Sequence, residues 1–435
     1  MAGTPRFIQT GSTEVTHGGN QPAERVAGWL AVLALGLRVV HFICRPPVWC
    51  DELWILRNVT AKSFRELLGP LTDQQAAPPL FLWLERSIWL AFGDSLFALR
   101  FPQLLASCGV IVLLYWVARR CLDPLGVAWA MLLFGVCDPV LDHTCEVKPY
   151  VIDAFLAVAA LAGLIATENW PVWRRAALLA LAGPLIIFLS YPGCFVCGGV
   201  LLALVPDAWK TRRDGRVWGA SMLAAATCAG AFLLLLEGPI RSQKTGDLQN
   251  WWTSQYLVLG NPLRMAGSCL EGFATLFEHF WRPTGGVLML PFAVGAVCLT
   301  RKLTGSRVAM LAGPCLLAIM ASFLQSYPFE SRLLLFCLPL LCLVIAEGLA
   351  EISRAIHREL ASTQRTKSRM VLAGMAAAVL GVVVVWPCGK TAYSLAAPRV
   401  RLTNEVWPES EESRINATTP QQIWARHHGE QSVVR

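Results

Sequence analysis

Long apolar runs alternate with short polar tracts along almost the whole chain. The runs are about 15–20 residues long, enough or nearly enough for a helix to cross a hydrocarbon core of roughly 30 Å. Large exposed apolar patches are rare on soluble proteins, so a soluble fold could not cover this surface. The pattern predicts an all-α, polytopic membrane protein with eleven spans, at residues 27–44, 99–118, 124–141, 150–167, 176–190, 194–206, 217–236, 286–300, 308–325, 333–350 and 370–387.

Two other apolar segments look different from the spans. "PPLFLWLERSIWLAFG" (residues 78–93) is short and carries Glu85 and Arg86 at its centre. Residues 53–69 place apolar side chains on one helical face and polar side chains on the other. A helix with one apolar face lies in the membrane interface rather than across it. We therefore predict two interfacial helices within the first outer loop, residues 45–98.

Positive charge is concentrated in short tracts between the spans, at Arg119-Arg120, Arg174-Arg175, Lys210 to Arg216, Arg301 to Arg307 and Arg354 to Arg369. Under the positive-inside rule these tracts face the cytoplasm. The net charge of +8 is then a consequence of topology and does not indicate a nucleic-acid-binding protein. The same rule predicts a cytoplasmic tail (1–26), a transmembrane domain (27–387) and a polar extracytoplasmic tail (388–435).

Cysteine spacing and repeat structure narrow the class further. Fifteen Cys residues are scattered mainly through apolar runs, without the paired spacing of a zinc module. No internal repeat is visible, although many transporter folds are built from repeats. A transporter or lipid flippase also needs ionisable residues deep in its spans. The sequence offers few beyond Arg38 and Glu347, which lie near span ends.

The predicted topology gathers acids, bases and an aromatic side chain on the outer face. The first loop contributes two adjacent acids. The second loop, residues 142–150, contributes an acid and a base, and the turn at 326–332 contributes a tyrosine and an arginine. A carboxylate can take a proton from a hydroxyl, and Lys or Arg can hold a phosphate. The candidate site residues are Asp51, Glu52, Glu146, Lys148, Tyr327 and Arg332.

Each of these residues also has a purely structural interpretation. Asp51 and Glu52 could cap the helix that follows them. Glu146 and Lys148 could form a surface ion pair of little energetic weight. Arg332 could extend to the lipid headgroups, and tyrosines at outer turns are common in the aromatic belt.

Five stretches in this order resemble the GT-C glycosyltransferases, in particular protein O-mannosyltransferases, aminoarabinose transferase and the RgtA/B/C/D-like bacterial enzymes. They are "WCDELW" (49–54), "APPLFLWL" (77–84), "FALRFPQLLAS" (97–107), "CEVKPYVIDAFL" (145–156) and "YPFESRLLLFCLPLL" (327–341). The resemblance is good over residues 26–165 and patchy afterwards.

The resemblance implies an inverting transfer of a sugar from a polyprenyl phosphate to an acceptor hydroxyl of a protein, lipid or glycan, at the outer face of a bacterial inner membrane, in cell-envelope assembly. By position, Asp51 matches the family's general base and Glu52 its partner. Glu146 and Lys148 match the charged pair near the donor phosphate, and Arg332 a basic residue near the lipid phosphate. The scheme requires no cofactor, although outer acids can bind Mg²⁺ or Mn²⁺.

The chain also departs from this family. Lys148 stands where many relatives have Arg, and Cys145 where many have Gln. The 48-residue tail is too short to bury a core of its own, whereas many members carry a folded outer domain there. A membrane protein that has kept the fold and lost the reaction is therefore an alternative, beside the transporter.

Overall fold

The computed structural model describes residues 21–44, 48, 50–244, 246–361 and 367–396, and all regular structure within these ranges is helical. The first helices are α1 (Gln21–Ile43), α2 (Cys50–Ala61), α3 (Pro79–Phe92), α4 (Leu96–Cys121), α5 (Pro124–Gly135), α6 (Asp138–His143), α7 (Tyr150–Ala166), α8 (Val172–Leu189) and α9 (Gly193–Lys210). They are followed by α10 (Gly215–Leu235), α11 (Arg241–Gln243), α12 (Gly246–Trp252), α13 (Pro262–Trp281), α14 (Met289–Lys302), α15 (Gly305–Phe323), α16 (Leu338–Ala361) and α17 (Lys367–Ala396).

Short irregular turns extend several of these helices. A π-helical turn, Leu236–Ile240, continues α10, and 3₁₀ turns lie at Glu66–Leu68, Thr253–Gln255, Gly285–Leu288 and Leu335–Cys337.

An apolar helix occupies each of the eleven predicted spans. Nine of these helices in the described part of the chain are long and apolar enough to cross a membrane. The other two, α5 and α7, are equally apolar but have 12 and 17 residues. The protein is therefore a polytopic all-α membrane protein, as predicted. The predicted boundary at residue 387 falls inside α17, and residues 1–20 and 397–435 of the predicted tails lie outside the described residues.

The segment predicted to lie in the interface, residues 78–93, forms α3, which has 14 residues. Proline at the first helical position, Pro79, needs no amide partner there, and Gly93 ends the helix with a φ of 63°. The inner face of α3 buries Phe81 and Leu82 completely, beside α2. The proline at its start and the glycine at its end keep α3 too short to be a span.

The prediction of a single helix over residues 53–69 is wrong, because α2 ends at Ala61. Ser63 and Glu66 explain the break. The Glu66 carboxylate accepts hydrogen bonds from the Ser63 backbone N–H at 2.8 Å and from the Ser63 hydroxyl at 2.7 Å. This reciprocal capping starts a new turn instead of continuing the helix.

The core of the bundle is organised around α16. In an apolar stretch of 18 residues that includes most of α16, 83% of the residues are buried inside the protein. The corresponding share for α17 is 11%. The closest backbone approach is between α14 and α16. A Cβ atom at Gly295 would lie 1.8 Å from the carbonyl oxygen of Val344, and one at Gly348 would lie 1.8 Å from that of Pro291. Glycine at both positions lets two membrane helices touch through their backbones.

The bundle has two chemically different ends. The site end consists of the segments 48–95, 136–149, 190–193, 236–288 and 324–337. The basic end consists of the segments 119–124, 167–175, 207–216, 301–307 and 351–361. The connections of the eleven apolar helices alternate between these two ends, which is what the placement of the basic tracts predicts.

Candidate functional site

Asp51 and Glu52 lie in the first turn of α2, where the helix N-terminus favours negative charge. The acids have different surroundings. Asp51 is 9% exposed and Glu52 is completely buried. Each carboxylate faces an arginine from a distant part of the chain. Helix capping alone does not account for either arrangement.

Glu52 connects three segments of the fold. Its carboxylate accepts two hydrogen bonds from Arg100 on α4, from Nε at 2.7 Å and from Nη2 at 2.6 Å. It also accepts the backbone N–H of Val147 at 3.1 Å. A two-pronged arginine–carboxylate pair fixes orientation as well as charge. Glu52 therefore holds the first loop against the second loop through contacts that leave it little capacity for a substrate.

Asp51 forms an ion pair with Arg332, which lies in the 324–337 segment just before α16. The guanidinium group of Arg332 also lies over the ring of Trp252, with 5.5 Å between its central carbon and the ring centroid. Burial lowers the pKa of Arg332, but nearby Tyr150 and the carboxylates of Asp51 and Glu330 outweigh it and leave that pKa above its ordinary value. Arg332 is therefore a permanent cation beside the Asp51 carboxylate.

The second loop places Glu146 in electrostatic range of Arg332, and Lys148 in range of Glu146. Glu146 lies 2.8 Å from Nδ1 of His143. Burial raises the pKa of Glu146, but His143, Lys148 and Arg100 outweigh it and leave that pKa below its ordinary value. Glu146 is therefore an anion at neutral pH.

Lys148 is nearly buried, at 4% exposure, and its Nζ donates to Oε1 of Gln75 at 2.6 Å. Gln75 belongs to the first loop, between α2 and α3. The lysine is therefore directed towards the first loop, which also carries the two acids. The first and second loops therefore converge, through the contacts of both Glu52 and Lys148.

Tyr327 supports the turn that carries Arg332. Its hydroxyl donates to the carbonyl oxygen of Leu333 at 2.8 Å, and its ring meets that of Phe195 edge to face. Burial raises the pKa of Tyr327 well above its ordinary value. The tyrosine is therefore neutral and holds the turn in place through its own hydroxyl.

A further tyrosine braces the first loop from the turn after α8. The hydroxyl of Tyr191 lies 2.7 Å from Oε1 of Gln243 and 2.9 Å from the carbonyl oxygen of Ala77, and it can donate its one proton to either. Gln243 also accepts the backbone N–H of Ala77 at 3.1 Å. The connection at residues 236–288, which carries Gln243, thus fixes the first loop just before α3.

Sequence reasoning missed several residues of this site. Arg100 was hidden inside an apolar run, Gln75 is an unremarkable loop residue, and His143 and His279 follow no motif. His279, on α13, has its pKa lowered to about 4 by burial and by neighbouring His143, Lys390, Arg332 and Arg282. Of these residues, only Arg100 could have been found from the sequence, because a charged residue near the end of a span is expected to have a buried partner.

A metal ion at the two acids would have to compete with arginine, because Asp51 and Glu52 each face a guanidinium group. Among the described residues, the group of acids and thiols close enough to share a metal lies at the basic end, at Cys298, Glu347 and Glu351. Lys302 already pairs with both glutamates there.

No protein-family model matches the chain, and no curated protein matches its sequence. Its structure is similar to the crystal structure of ArnT from Cupriavidus metallidurans bound to undecaprenyl phosphate. The TM-score is 0.46 and the sequence identity 14%, over 92% of this chain and 75% of that chain.

The structure is also similar to the oligosaccharyltransferase AglB from Archaeoglobus fulgidus in complex with an inhibitory peptide and a dolichol-phosphate, with a TM-score of 0.46 and 14% identity over 85% of this chain. The apo form of the oligosaccharyltransferase from Archaeoglobus fulgidus gives a TM-score of 0.49 at 14% identity over 86% of this chain. The chain spans 55% and 56% of the length of these two structures. At such scores we draw neither substrate nor mechanism from the likenesses.

Proposed function

We propose that the protein is a membrane glycosyltransferase that passes a sugar from a polyprenyl-phosphate donor to an acceptor hydroxyl, with inversion, at the outer face of the membrane. The observation that carries the proposal is the ion pair of Asp51 with Arg332, with Glu146 of the second loop in electrostatic range of both Arg332 and Lys148. One carboxylate able to accept a proton and two cations able to hold a phosphate come from three distant segments. A lipid-linked phosphosugar needs this combination at the membrane surface.

In the proposed reaction Asp51 is the general base. It takes the proton of the acceptor hydroxyl while the hydroxyl oxygen attacks the anomeric carbon from the face opposite the phosphate. The bond between the anomeric carbon and the phosphate oxygen breaks, and its electron pair leaves with the polyprenyl phosphate. Lys148 and Arg332 neutralise the phosphate, so that positioning and electrostatics provide most of the rate enhancement.

Two anions compete for Arg332 in this scheme. It pairs with Asp51 in the structure, and the donor phosphate is a competing anion with more acceptor oxygens. When the phosphate binds Arg332, the Asp51 carboxylate is released from its ion pair and can face the acceptor hydroxyl. The donor therefore prepares the base that later activates the acceptor, and we expect the donor to bind first.

Glu52 has a different role in the proposal from Asp51. Its buried carboxylate is occupied by Arg100 and by the Val147 N–H. We assign Glu52 to positioning the two loops, while Asp51 performs the proton transfer. Glu146, held by His143, places a negative charge near Lys148.

The test is donor cleavage by the purified protein in lipid nanodiscs. Radiolabelled polyprenyl-phosphate sugars are supplied with and without a soluble acceptor, and released lipid phosphate and transferred sugar are measured. Asp51→Asn is the inactive comparison, and Asp94→Asn, at the exposed turn before α4, is the matched control. Movement of intact donor across the bilayer would instead support a flippase. Neither cleavage nor movement with any donor would favour a protein that has lost the reaction.

The outer location of the site has its own experiment. Single-cysteine labelling in intact cells should mark positions 60 and 260, at the site end, from outside. Cys145 is only 1% exposed, so its side of the membrane is tested with a reporter fused at residue 145, which should report outside. Positions 212 and 360, at the basic end, should become accessible to the label only after the membrane is opened. A reporter at residue 145 that lies in the cytoplasm would place the site on the wrong face and overturn the proposal.

A further inference from the structure

A polar cavity of about 270 Å³ lies at the basic end of the bundle, where α7, α8, α9 and α15 meet. It is far from the site described above, because α8 and α9 reach it with the ends that are remote from Tyr191. Seven of its lining residues are charged or hydroxylated: Glu168, Arg175, Asp207, Lys210, Thr304, Ser306 and Arg307. No role in the proposed reaction requires such a cavity.

The cations of the cavity are only partly neutralised by its acids. Arg175 donates from Nη1 to Asp207 at 3.1 Å, and Arg307 donates from Nη2 to Glu168 at 2.6 Å. Lys210 also donates to Asp207, at 3.3 Å. The lining therefore holds three cations and two carboxylates, which leaves one positive charge in excess.

Arg175 supplies the observation that points to a ligand. The residue is 6% exposed, yet its buried Nε has no hydrogen-bond partner among the described residues. An unsatisfied buried donor on a charged group is unfavourable, so a native structure normally provides an acceptor for it. Asp207 explains the position of Nη1 and leaves the Nε donor unexplained.

The first turn of α15 adds a second set of donors. The helix begins at Gly305, Thr304 caps it by accepting the N–H of Arg307, and Gly305 and Ser306 both line the cavity. The first amides of an α-helix have no partner within the helix, and the helix dipole favours an anion there. The Ser306 hydroxyl already lies 3.2 Å from Asp207, so it too faces the charged centre of the cavity.

We propose that this cavity binds a phosphate group, supplied either by the headgroup of an anionic phospholipid or by free phosphate. Arg175 offers its unpaired Nε, Lys210 and Arg307 offer charge, and the start of α15 offers backbone donors. Basic pockets between membrane helices on the cytoplasmic side are suited to anionic headgroups. The position of the cavity at the end of four helices places it at headgroup depth.

Asp207 has a specific part in this site. It holds Arg175, Lys210 and Ser306 at one point through a single carboxylate. The phosphate does not replace Asp207, because Nη1 of Arg175 stays on the carboxylate while Nε turns to the phosphate. With Asp207 still in place, the lining has an excess of only one positive charge. The singly charged phosphodiester of a phospholipid therefore matches the site better than a divalent anion does.

The experiment measures lipid retention and thermal stability of the full chain. Protein in mixed micelles is titrated with phosphatidylglycerol, phosphatidylcholine or inorganic phosphate, and bound lipid is counted by native mass spectrometry. We expect saturable retention of phosphatidylglycerol and a higher melting temperature, with no comparable effect of phosphatidylcholine. Inorganic phosphate that reproduces the stabilisation would identify free phosphate as the source.

Variants localise the binding. Arg175 is buried, so its replacement would test folding as well as binding, and the decisive variants are Lys210→Gln and Arg307→Gln. Each should weaken phosphatidylglycerol or phosphate binding roughly fivefold, the factor for one basic side chain near an anionic surface. Arg213 lies in the loop just after Lys210 and does not line the cavity. Arg213→Gln makes the same change of charge as Arg307→Gln, and this variant should bind as the wild type does. Equal weakening by all three variants, or equal retention of both lipids, would overturn the proposal.

Discussion

The site end and the basic end of the bundle both carry arginine–carboxylate pairs, but these pairs differ in exposure. At the site end, the side chains of Arg100 and Glu52 are 4% and 0% exposed. At the basic end, those of Arg354 and Asp123 are 32% and 31% exposed. Burying two charges costs several kcal/mol per ion, whereas a partly exposed pair costs and contributes little. A fold that keeps a buried pair therefore depends on its geometry.

The difference also separates two uses of charge. The basic end uses many cations in short tracts, and their number fixes orientation in the membrane. The site end buries the pair of Arg100 with Glu52, where water cannot replace a lost partner. Because Arg354 and Asp123 are partly exposed, the loss of Arg100 should affect stability more strongly than the loss of Arg354.

The largest expected effect is that of Arg100→Met. The variant leaves the Glu52 carboxylate buried without its main partner, and such a loss destabilises by roughly 3–5 kcal/mol. Thermal unfolding in detergent should show it as a large drop in melting temperature. The double variant Arg100→Met with Glu52→Gln should recover part of the loss, because the uncompensated charge is gone. A single variant as stable as the wild type would remove the distinction between the two ends.

Asp51→Asn is expected to reduce turnover by at least roughly 100-fold, the lower end of what a general base contributes. The amide keeps the shape and cannot accept the proton. Donor binding should not weaken, since the loss of the Asp51 charge leaves Arg332 freer for the phosphate. Glu52→Gln should reduce turnover less than Asp51→Asn. The measurement is single-turnover sugar transfer, and an unchanged rate in Asp51→Asn would rule out this residue as the base.

Lys148→Ala is expected to weaken donor binding about tenfold, the order of one charge-assisted hydrogen bond to phosphate. Lys148→Arg should keep much of the activity, because the cation remains. Lys244→Ala, which removes an exposed lysine at the same end, is the control. Normal donor affinity in Lys148→Ala would place the phosphate elsewhere.

Glu85→Gln tests a buried acid at the site end through its pH dependence. Burial raises the pKa of Glu85 from 4.5 to about 8, and Nε2 of Gln103 donates to its Oε1. The folded protein therefore holds a proton that the unfolded chain releases above about pH 4.5. Wild-type stability should fall as pH rises from 4.5 to 8, and Glu85→Gln should lack this component. Parallel stability profiles of the two proteins would show that Glu85 titrates normally.

The smallest effect is expected for Arg354→Met, the counterpart of Arg100→Met at the basic end. Arg354 pairs with Asp123 and Glu351, which are partly exposed, and lies 4.0 Å from the buried Glu347, which also pairs with Lys302. We expect a loss below about 1 kcal/mol, since water can solvate the two exposed partners and Lys302 keeps Glu347 paired. Comparing the unfolding midpoints of Arg354→Met and Arg100→Met gives the contrast directly. Equal losses would mean that exposure does not govern these pairs.

Much of this architecture follows from the sequence. Hydrophobic run length predicted all eleven apolar helices, because a helix in lipid must satisfy its own backbone and shows an apolar surface of fixed length. The interfacial assignment of residues 78–93 followed from Glu85 and Arg86. The proximity of the first and second loops followed from Asp51, Glu52 and Lys148 lying on one predicted face.

The partners of those residues could not be predicted. Glu52 and Arg100 are 48 positions apart, and Asp51 and Arg332 are 281 positions apart. A charge near a span end has the same local sequence whether it extends to the headgroups or pairs inside the bundle. Arg38 illustrates this, since its guanidinium is fully buried and donates to Ser107 and to three backbone carbonyl groups. Pairing depends on how the helices rotate about their axes, which run length does not determine.

The contact of Gly295 with Gly348 limits how this protein can change over evolutionary time. A methyl group at either glycine meets a carbonyl oxygen of the facing helix, which no change of side-chain rotamer can move. Gly348 lies ten residues into α16 from Leu338, about 15 Å along the helix, and Arg332 lies just before that helix. Descendants of this sequence can therefore vary the loops one residue at a time, whereas a single step at this crossing would move α16 and with it the arginine that faces Asp51.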